Sequence, residues 1–415
     1  MGRPDVQHDV MRQTDKKRLV ALIAILVAVV GCASADRPRK SAKSSKYFVP
    51  PVARVGSQSD TVDYFGYRAQ RERLVMLLEE ARDPNEQAQL TMELADLAER
   101  TRGMALTQKT GLERLARDLL DRELKLLGRI VRDFPNYSRR DEALYRLGFT
   151  LLDRDRPDVA LGYIRTLLAE HPASSYVPHG YLAFADHFFN QEKIDEAIKL
   201  YEKVLAFENS DATPMAHFKL GWCWLNKGEH QKSLESFMNA ASAAQQLGGQ
   251  AGTTLREEAL KDLVRAYVHV GAPEKALAFF ERIDEGRIND MLERLGTAYF
   301  DDGRYRESIV INRQVSDRVE CSPVQARAQV AVFEARLFLG EVENLKAEGE
   351  LLVEVFVRLS QCLPPEDLVE FAEAGAVAKE NLKAQAKRYR AEFEFSGEPA
   401  AAAMADDLEI MAESF

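Results

Sequence analysis

Apolar and small residues recur at fixed positions in five successive segments of the chain, which begin at Asp141, Pro178, Pro214, Glu257 and Asn289. Counted from each first residue, these positions are 4, 7, 8, 11, 20, 24 and 27. The three- and four-residue spacing of the first four positions predicts a helix with one apolar face, and the last three positions predict a second helix. Small residues at positions 8 and 20, such as Gly148 and Ala160, predict that the two helices approach closely.

Each segment resembles the tetratricopeptide repeat, a pair of antiparallel helices of about 34 residues. A single pair cannot bury both apolar faces, so the resemblance implies neighbouring pairs stacked into a right-handed solenoid. We therefore expect an all-α protein in which residues 137–323 form five repeats. The longest connection between repeats, Gln245 to Thr254, is rich in glycine and glutamine and predicts an extended surface turn.

The stretch before the five repeats matches the pattern only in part. Three runs with three- and four-residue apolar spacing predict helices there, and Pro84 and Gly103 are expected to interrupt them. The last run, which ends at Pro135, resembles the second half of a repeat. We therefore expect residues 61–136 to form a helical cap that contains a degenerate repeat.

The stretch after the repeats predicts further helices with weaker repeat character. Residues 324–415 are expected to form a degenerate pair that breaks near Gly340, followed by a long capping helix. That helix, from Pro365 to Phe395, is amphipathic and rich in charge. The final residues, from Gly397 to Phe415, are expected to fray.

The N-terminal residues resemble a secretory signal. A basic stretch, residues 16–18, precedes an apolar run from Leu19 to Val30, which is too short to span a membrane comfortably. The Gly-Cys junction at Cys32 resembles the bacterial lipobox, in which the cysteine is diacylated and becomes the first mature residue. We expect residues 1–32 to be a lipoprotein signal peptide, with Met11 as an alternative start. The other interpretation is a plain signal peptide or anchor in which the cysteine has no role.

The residues after the cysteine predict where the protein is held. In well-studied bacteria an aspartate after the lipidated cysteine retains a lipoprotein at the inner membrane, and this chain has Ala33 instead. The resemblance therefore implies a lipid anchor in the outer membrane, on its periplasmic face. Residues 33–60 are expected to be a disordered tether with an end-to-end distance of roughly 30 Å. Its basic side chains are Arg37, Arg39, Lys40, Lys43, Lys46 and Arg54.

Charge and motifs argue against several classes of function. The chain has 56 basic and 66 acidic residues and a formal net charge of −10, which argues against nucleic acid as a partner. It lacks HExxH, GxSxG, CxxC and a phosphate-binding glycine-rich loop. His179 and His187 lie eight residues apart on one predicted helix, but no carboxylate or cysteine set accompanies them, so no metal site is expected. We therefore expect no catalytic residues, no cofactor and no small-molecule substrate.

Two cysteines occupy equivalent corners of the predicted repeats. Cys321 and Cys362 each follow the second helix of a pair, and a proline follows each cysteine closely. Equivalent corners of stacked neighbours lie on the same edge of a solenoid, and the periplasm is oxidising. We therefore predict a Cys321–Cys362 disulfide; the alternative is that the corners lie beyond the ~7 Å limit between Cα atoms. Cys223 is expected to be a small core residue.

The positions that line the inner wall of tetratricopeptide folds predict a partner-binding surface. In the first three repeats these positions are unusually aromatic and apolar, and in the fourth they are basic. One interpretation is a hydrophobic groove for a peptide or helix on the concave surface, with basic residues at one end. The other is that adjacent repeats or terminal helices pack over these residues. The predicted groove residues are Tyr145, Phe149, Leu182, Phe189, Phe218, Trp222, Leu225, Lys261 and Arg265.

Longer phrases of the repeats indicate a narrower resemblance. The chain contains DFPNYSRRDEALYRLG and FFNQEKIDEAIKLYEKVL, and with the lipobox and basic tether these are similar to periplasmic tetratricopeptide lipoproteins such as the BamD family. A third phrase, HFKLGWCWLNKGEHQKSLESF, resembles more closely the tetratricopeptide lipoprotein of the myxobacterial adventurous-gliding (Glt) envelope complex. This chain is longer than the BamD family.

The narrower resemblance implies a non-enzymatic scaffold. It would bind other envelope proteins through its concave surface as part of a multiprotein cell-envelope complex, and the resemblance implies the gliding-motility machinery. The alternative is an outer-membrane assembly factor, either for β-barrels, as in the BamD family, or for a secretin, in the manner of a pilotin. Stable co-purification with fixed partners would favour the scaffold, whereas accumulation of barrel precursors after depletion would favour the assembly factor.

Overall fold

The computed structural model describes residues 64–107 and 111–415. The predicted signal peptide and tether, residues 1–60 with Cys32, lie outside the described residues. Within the described part of the chain every regular element is a helix. None of these helices is long and apolar enough to cross a membrane.

Among the described residues, three helices precede the repeats: α1 (Tyr64–Glu80), α2 (Pro84–Thr107) and α3 (Glu113–Asp133). The prediction of a break at Gly103 is wrong, because α2 continues through it. The buried face of α2 extends past the glycine to Ala105. Burial of that face outweighs the roughly 1 kcal/mol by which glycine disfavours a helix interior.

Each of the five predicted repeats is a helical pair, and the all-α solenoid architecture is confirmed. The turns between the helices of a pair are short, which brings consecutive helices side by side. In chain order the pairs are α4 (Arg140–Asp153) with α5 (Pro157–Glu170), α6 (Val177–Asn190) with α7 (Ile194–Leu205), α8 (Thr213–Asn226) with α9 (His230–Leu247), α10 (Gly249–Val270) with α11 (Ala276–Ile283), and α12 (Ile288–Asp301) with α13 (Tyr305–Arg318).

The connection between α9 and α10 differs from the prediction. The expected extended turn from Gln245 to Thr254 is wrong, because the two helices together occupy all of it except Gly248. That residue has φ +65° and ψ −166°, a conformation that favours glycine. A Cβ at Gly252 would lie 2.5 Å from the carbonyl oxygen of Ala244, so the missing side chain lets α10 begin close against α9. The glycines therefore form a tight corner and not a loop.

Four helices follow the repeats: α14 (Pro323–Leu339), α15 (Val342–Ser360), α16 (Leu368–Ser396) and α17 (Pro399–Ala412). Gly340 has φ +67° and ends α14, where the sequence predicted the break. The predicted fraying after Gly397 is wrong, because α17 forms there and packs against its neighbours. Ala405 and Leu408 of α17 are fully buried, in one core cluster with Leu382 of α16.

The two helices of a repeat are held together at positions 8 and 20. In the third and fifth repeats the position-20 serine hydroxyl donates to the carbonyl oxygen of the position-8 glycine. Ser233 donates to Gly221 and Ser308 donates to Gly296, each at 2.8 Å and buried. A Cβ on Gly221 would lie 2.5 Å from the ring of Phe237, which is fully buried. The small residues therefore set how closely the two helices pack.

Replacing Gly221 with alanine is expected to lower the free energy of unfolding by about 1–3 kcal/mol, because the added methyl group overlaps three atoms of the Phe237 ring. The matched control is Gly162→Ala in α5, where nothing lies within 4 Å of the new Cβ. That substitution should stabilise the protein by up to about 1 kcal/mol through helix propensity. Urea denaturation of the two variants measures both effects. Equal changes in both variants would contradict the close packing at position 8.

A buried group of charges joins the N-terminal helices to the first repeat. The Arg146 guanidinium of α4 lies 2.6 Å from an Asp96 carboxylate oxygen of α2 and 2.9 Å from a Glu123 carboxylate oxygen of α3. The side chains of Arg146 and Glu123 are 4% and 2% exposed. The three helices are therefore linked by directional contacts as well as by apolar packing.

Candidate protein-binding surface

Five of the nine predicted groove residues are buried between neighbouring helices. They are 0–8% exposed and belong to the core clusters that join one repeat to the next. At these positions the structure therefore has the second of the two predicted alternatives, packing by adjacent repeats. The five residues are Tyr145, Phe149, Leu182, Phe218 and Trp222.

Trp222 shows how the packing works. It lies in α8 and shares a core cluster with Leu260 and Val264 of α10, the first helix of the next repeat. Its indole Nε1 donates to Asp262 Oδ2 at 3.0 Å, and Arg265 Nε lies 3.2 Å from the other oxygen of that carboxylate. Burial raises the pKa of Asp262 to about 6. Trp222 is therefore buried in a contact between repeats, whereas Arg265 joins the Asp262 carboxylate from the exposed side.

Tyr145 and Phe149 of α4 face the second repeat in the same way. The Tyr145 ring stacks on Tyr176 with centroids 4.3 Å apart, and it meets the His179 ring edge-on with centroids 5.6 Å apart. His179 in turn has Nε2 3.0 Å from a carboxylate oxygen of Asp211. These rings fill the junction between the first two repeats.

The other four predicted residues remain at least partly accessible. Phe189 and Leu225 are half-buried, and Lys261 and Arg265 are exposed. The Lys219 ammonium lies 5.8 Å from the centre of the Phe189 ring, so even this aromatic side chain has a charged neighbour. The accessible surface along α6, α8 and α10 is thus a mixed polar and apolar rim, and the continuous apolar groove is absent at these helices.

An open cavity of about 570 Å³ lies instead between α14 and α16, beyond the five repeats. Val330 and Ala374 are buried and form its floor, while Ala331 and Val377 line its sides. The Val377 side chain is 45% exposed. This volume lies within the range of about 300–1,000 Å³ that is typical of ligand-binding pockets.

Charged side chains surround this apolar floor, and three of the four are acidic. Glu334, Glu370 and Glu373 line the cavity together with Arg327. One Arg327 nitrogen lies 2.5 Å from Glu370, and another lies 3.1 Å from Glu293 of α12. The single basic side chain is therefore already shared between two carboxylates.

This cavity is not predictable from the sequence, although one of its walls has a visible pattern. Arg327, Ala331, Glu334 and Phe338 follow one another at spacings of four, three and four residues, which places them on one face of α14. The opposite wall depends on where α16 lies after the long helix α15. That placement is a tertiary feature with no local signal.

A disulfide lies close to the same two helices. It joins Cys321 and Cys362, whose Cα atoms are 5.8 Å apart, within the ~7 Å limit for such a bond. Cys321 precedes the start of α14 by two residues, and Cys362 lies in the connection between α15 and α16. The bond therefore ties the beginning of α14 to the connection that leads from α15 into α16. Cys223 is a free thiol, fully buried in α8.

The described residues contain no group of three or more histidine, cysteine, aspartate and glutamate side chains that could hold a metal ion. His179 and His187 lie on the same helix but have separate surroundings. His179 is buried beside Asp211, whereas His187 has Nε2 2.7 Å from the Gln191 amide nitrogen in an exposed contact. In the described contacts neither histidine has a serine or cysteine nucleophile beside it, so we assign structural roles to both.

Comparison with known proteins points to the repeat itself. A tetratricopeptide-repeat family model matches residues 142–174, which are the helices α4 and α5 with the turn after them. No curated protein matches the chain significantly. A solved tetratricopeptide repeat protein from Parabacteroides merdae is similar at 13% identity and a TM-score of 0.36, covering 69% of this chain and 98% of its own. The family match and the stacked helical pairs support a tetratricopeptide-repeat protein with an all-α solenoid fold.

Proposed function

We propose that the protein is a non-enzymatic scaffold, held by a lipid on Cys32 at the periplasmic face of the outer membrane, which binds other envelope proteins. The observation that carries the proposal is the stack of helical pairs that ends in an open cavity between α14 and α16. Tetratricopeptide solenoids generally hold other proteins on the exposed faces of their helices. No catalytic family is indicated by the comparisons. The cavity is lined by apolar and charged side chains of the kind that contact other proteins.

The setting in a multiprotein envelope complex is supported by the sequence. The basic stretch, short apolar run and Gly-Cys junction of residues 16–32 fit lipid attachment, and residues 33–60 supply a spacer. The resemblance to the adventurous-gliding lipoprotein favours the gliding-motility machinery. An outer-membrane assembly factor is the second candidate. It draws on the half-buried Phe189 and Leu225, which could contact unfolded client segments.

Membrane attachment through Cys32 can be tested directly. In Cys32→Ala the lipid cannot be added, so we expect the membrane-bound fraction of the protein to fall at least about tenfold, because no other anchor of comparable strength is proposed. The matched control is Ser34→Ala, which changes a residue two positions away and keeps the Gly-Cys junction. Fractionation with immunoblotting measures the distribution. Equal membrane binding by Cys32→Ala and the control would contradict the anchor.

The partners then distinguish the two candidate functions. Cross-linking and affinity purification of the full-length protein from membranes should recover a small set of envelope proteins in fixed ratio if the protein is a scaffold. A changing mixture of outer-membrane barrels and secretin subunits would instead show an assembly factor. Recovery of neither group would contradict the proposed function.

A further inference from the structure

The cavity between α14 and α16 combines an apolar floor with an acidic border. Its floor is formed by Val330 and Ala374, and its acidic side chains are Glu334, Glu370 and Glu373. With Arg327 as the one basic residue in the lining, the formal charge of the border is 1 − 3 = −2. The shape accepts an apolar side chain, and the charge favours a cation beside it.

The three carboxylates differ in the partners that they already have within the protein. Glu370 is engaged by Arg327, and Glu334 accepts a hydrogen bond of 2.8 Å from the Asn381 amide. An amide leaves the charge of Glu334 in place. Glu373 is exposed and has no ion-pair partner among the described residues. Two negative charges, at Glu334 and Glu373, are thus available to a ligand.

Exposed apolar side chains extend the surface beyond the cavity. Phe338 lies seven residues after Ala331, on the same face of α14, and is 58% exposed. Val369 lies eight residues before Val377 on α16 and is 68% exposed. Exposed apolar side chains therefore occur on both helices beyond the cavity, and the Phe338 ring also packs against Phe300 and Tyr305. An occupant that uses it must be an elongated segment, longer than a free amino acid or a metabolite.

We propose that the cavity between α14 and α16 binds a cationic amphipathic segment of a partner protein, with an apolar side chain on Val330 and Ala374 and basic side chains beside Glu334 and Glu373. The inference rests on the proposed function and names the chemistry of the partner. Nucleic acid and anionic lipid headgroups carry the charge that these carboxylates repel. Basic residues with apolar ones between them match both features of the surface.

Selection from a random library of twelve-residue peptides tests the chemistry without knowledge of the partner. The bait is the full-length protein purified in detergent. We expect the selected peptides to be enriched in lysine and arginine combined with aliphatic or aromatic residues. The double variant Glu334→Lys, Glu373→Lys should bind the best peptide about tenfold or more weakly, because it replaces attraction by repulsion. The Ala331→Phe variant, which fills the cavity without a change in charge, should weaken binding similarly.

The matched control is the double variant Glu392→Lys, Glu394→Lys. It makes the same change in charge at exposed positions of α16 that do not line the cavity, so its affinity should stay within about twofold of the wild type. Equal weakening in both double variants, no enrichment, or selection of acidic peptides would overturn the inference. Cross-linking of the cavity to this chain's own residues 33–60 would overturn the assignment to a second protein. Partner capture that survives both cavity variants would also refute this site while leaving the scaffold function intact.

Discussion

Replacing Arg146 with methionine is expected to lower the free energy of unfolding by about 3–5 kcal/mol. The guanidinium lies 2.6 Å from Asp96 and 2.9 Å from both Glu99 and Glu123. Glu123 is 2% exposed, and without Arg146 its nearest remaining cation is Arg102 at 3.3 Å. Methionine fills most of the volume but leaves three carboxylates facing one another in a site with little water. Arg102 remains beside Glu123 and Arg139 remains beside Asp96, so the main effect is loss of the most buried of the cations that compensate these carboxylates.

The pH dependence gives this prediction a second measurement. Burial already raises the pKa of Glu99, while the charge of Arg146 lowers it, so loss of Arg146 should raise that pKa further. A carboxyl group whose pKa is higher in the folded than in the unfolded state binds its proton more tightly when folded. Its destabilisation is therefore largest above the folded pKa and is relieved as the pH falls. The difference in unfolding free energy between variant and wild type should shrink between pH 7 and pH 5.

An exposed ion pair provides the control. Arg68 and Glu72 are 66% and 56% exposed and lie four residues apart on α1, so Arg68→Met should change stability by less than about 0.5 kcal/mol. A second variant, Arg146→Met with Glu123→Leu, removes both buried charges and should recover part of the loss. Chemical denaturation of the four proteins measures these differences. An equally small decrease in the free energy of unfolding in Arg146→Met and Arg68→Met would show that the buried ion pairs stabilise the fold no more than an exposed pair does.

The repeats could be predicted because their determinants are local. The apolar spacing and the small residues at positions 8 and 20 act within one helical pair, and the pairing of Ser233 with Gly221 shows this directly. All three wrong predictions of local structure, including the break at Gly103, come from composition. The glycines of Gln245 to Thr254 predict a loop, but in the structure they permit a close corner between two helices. The end of the chain was expected to fray, although its alanines favour a helix that buries Leu408.

The binding surface was less predictable because its decisive contacts are not local. A side chain such as Trp222 can serve a partner or the next repeat, and only the position of α10 decides between them. Substituting Trp222 with alanine would therefore mainly destabilise the fold and would report little on binding. The cavity arises where α16 meets α14, two elements separated by the whole of α15. No periodicity in the sequence indicates that meeting.

Removal of the Cys321–Cys362 disulfide is expected to affect both the stability of the fold and the cavity. The bond spans 41 residues of sequence, and the loop-entropy relation gives about 4 kcal/mol for a loop of this size. Replacing both cysteines with serine should therefore lower the free energy of unfolding by about 2–4 kcal/mol. Denaturation of the wild type in a reducing agent should give a similar loss, because Cys223 is a thiol in both states.

The location of the bond also predicts where flexibility appears. It ties the beginning of α14 to the connection that leads into α16, so its loss should leave the repeats α4 to α9 intact. Amide hydrogen exchange should therefore quicken in α14 to α17 and stay unchanged in α4 to α9. The helices α14 and α16 form the two walls of the cavity. Loss of the disulfide should therefore also weaken peptide binding, because more mobile walls must be ordered on binding. Faster exchange spread evenly over all helices would instead show that the bond supports the whole solenoid and has no particular relation to the cavity.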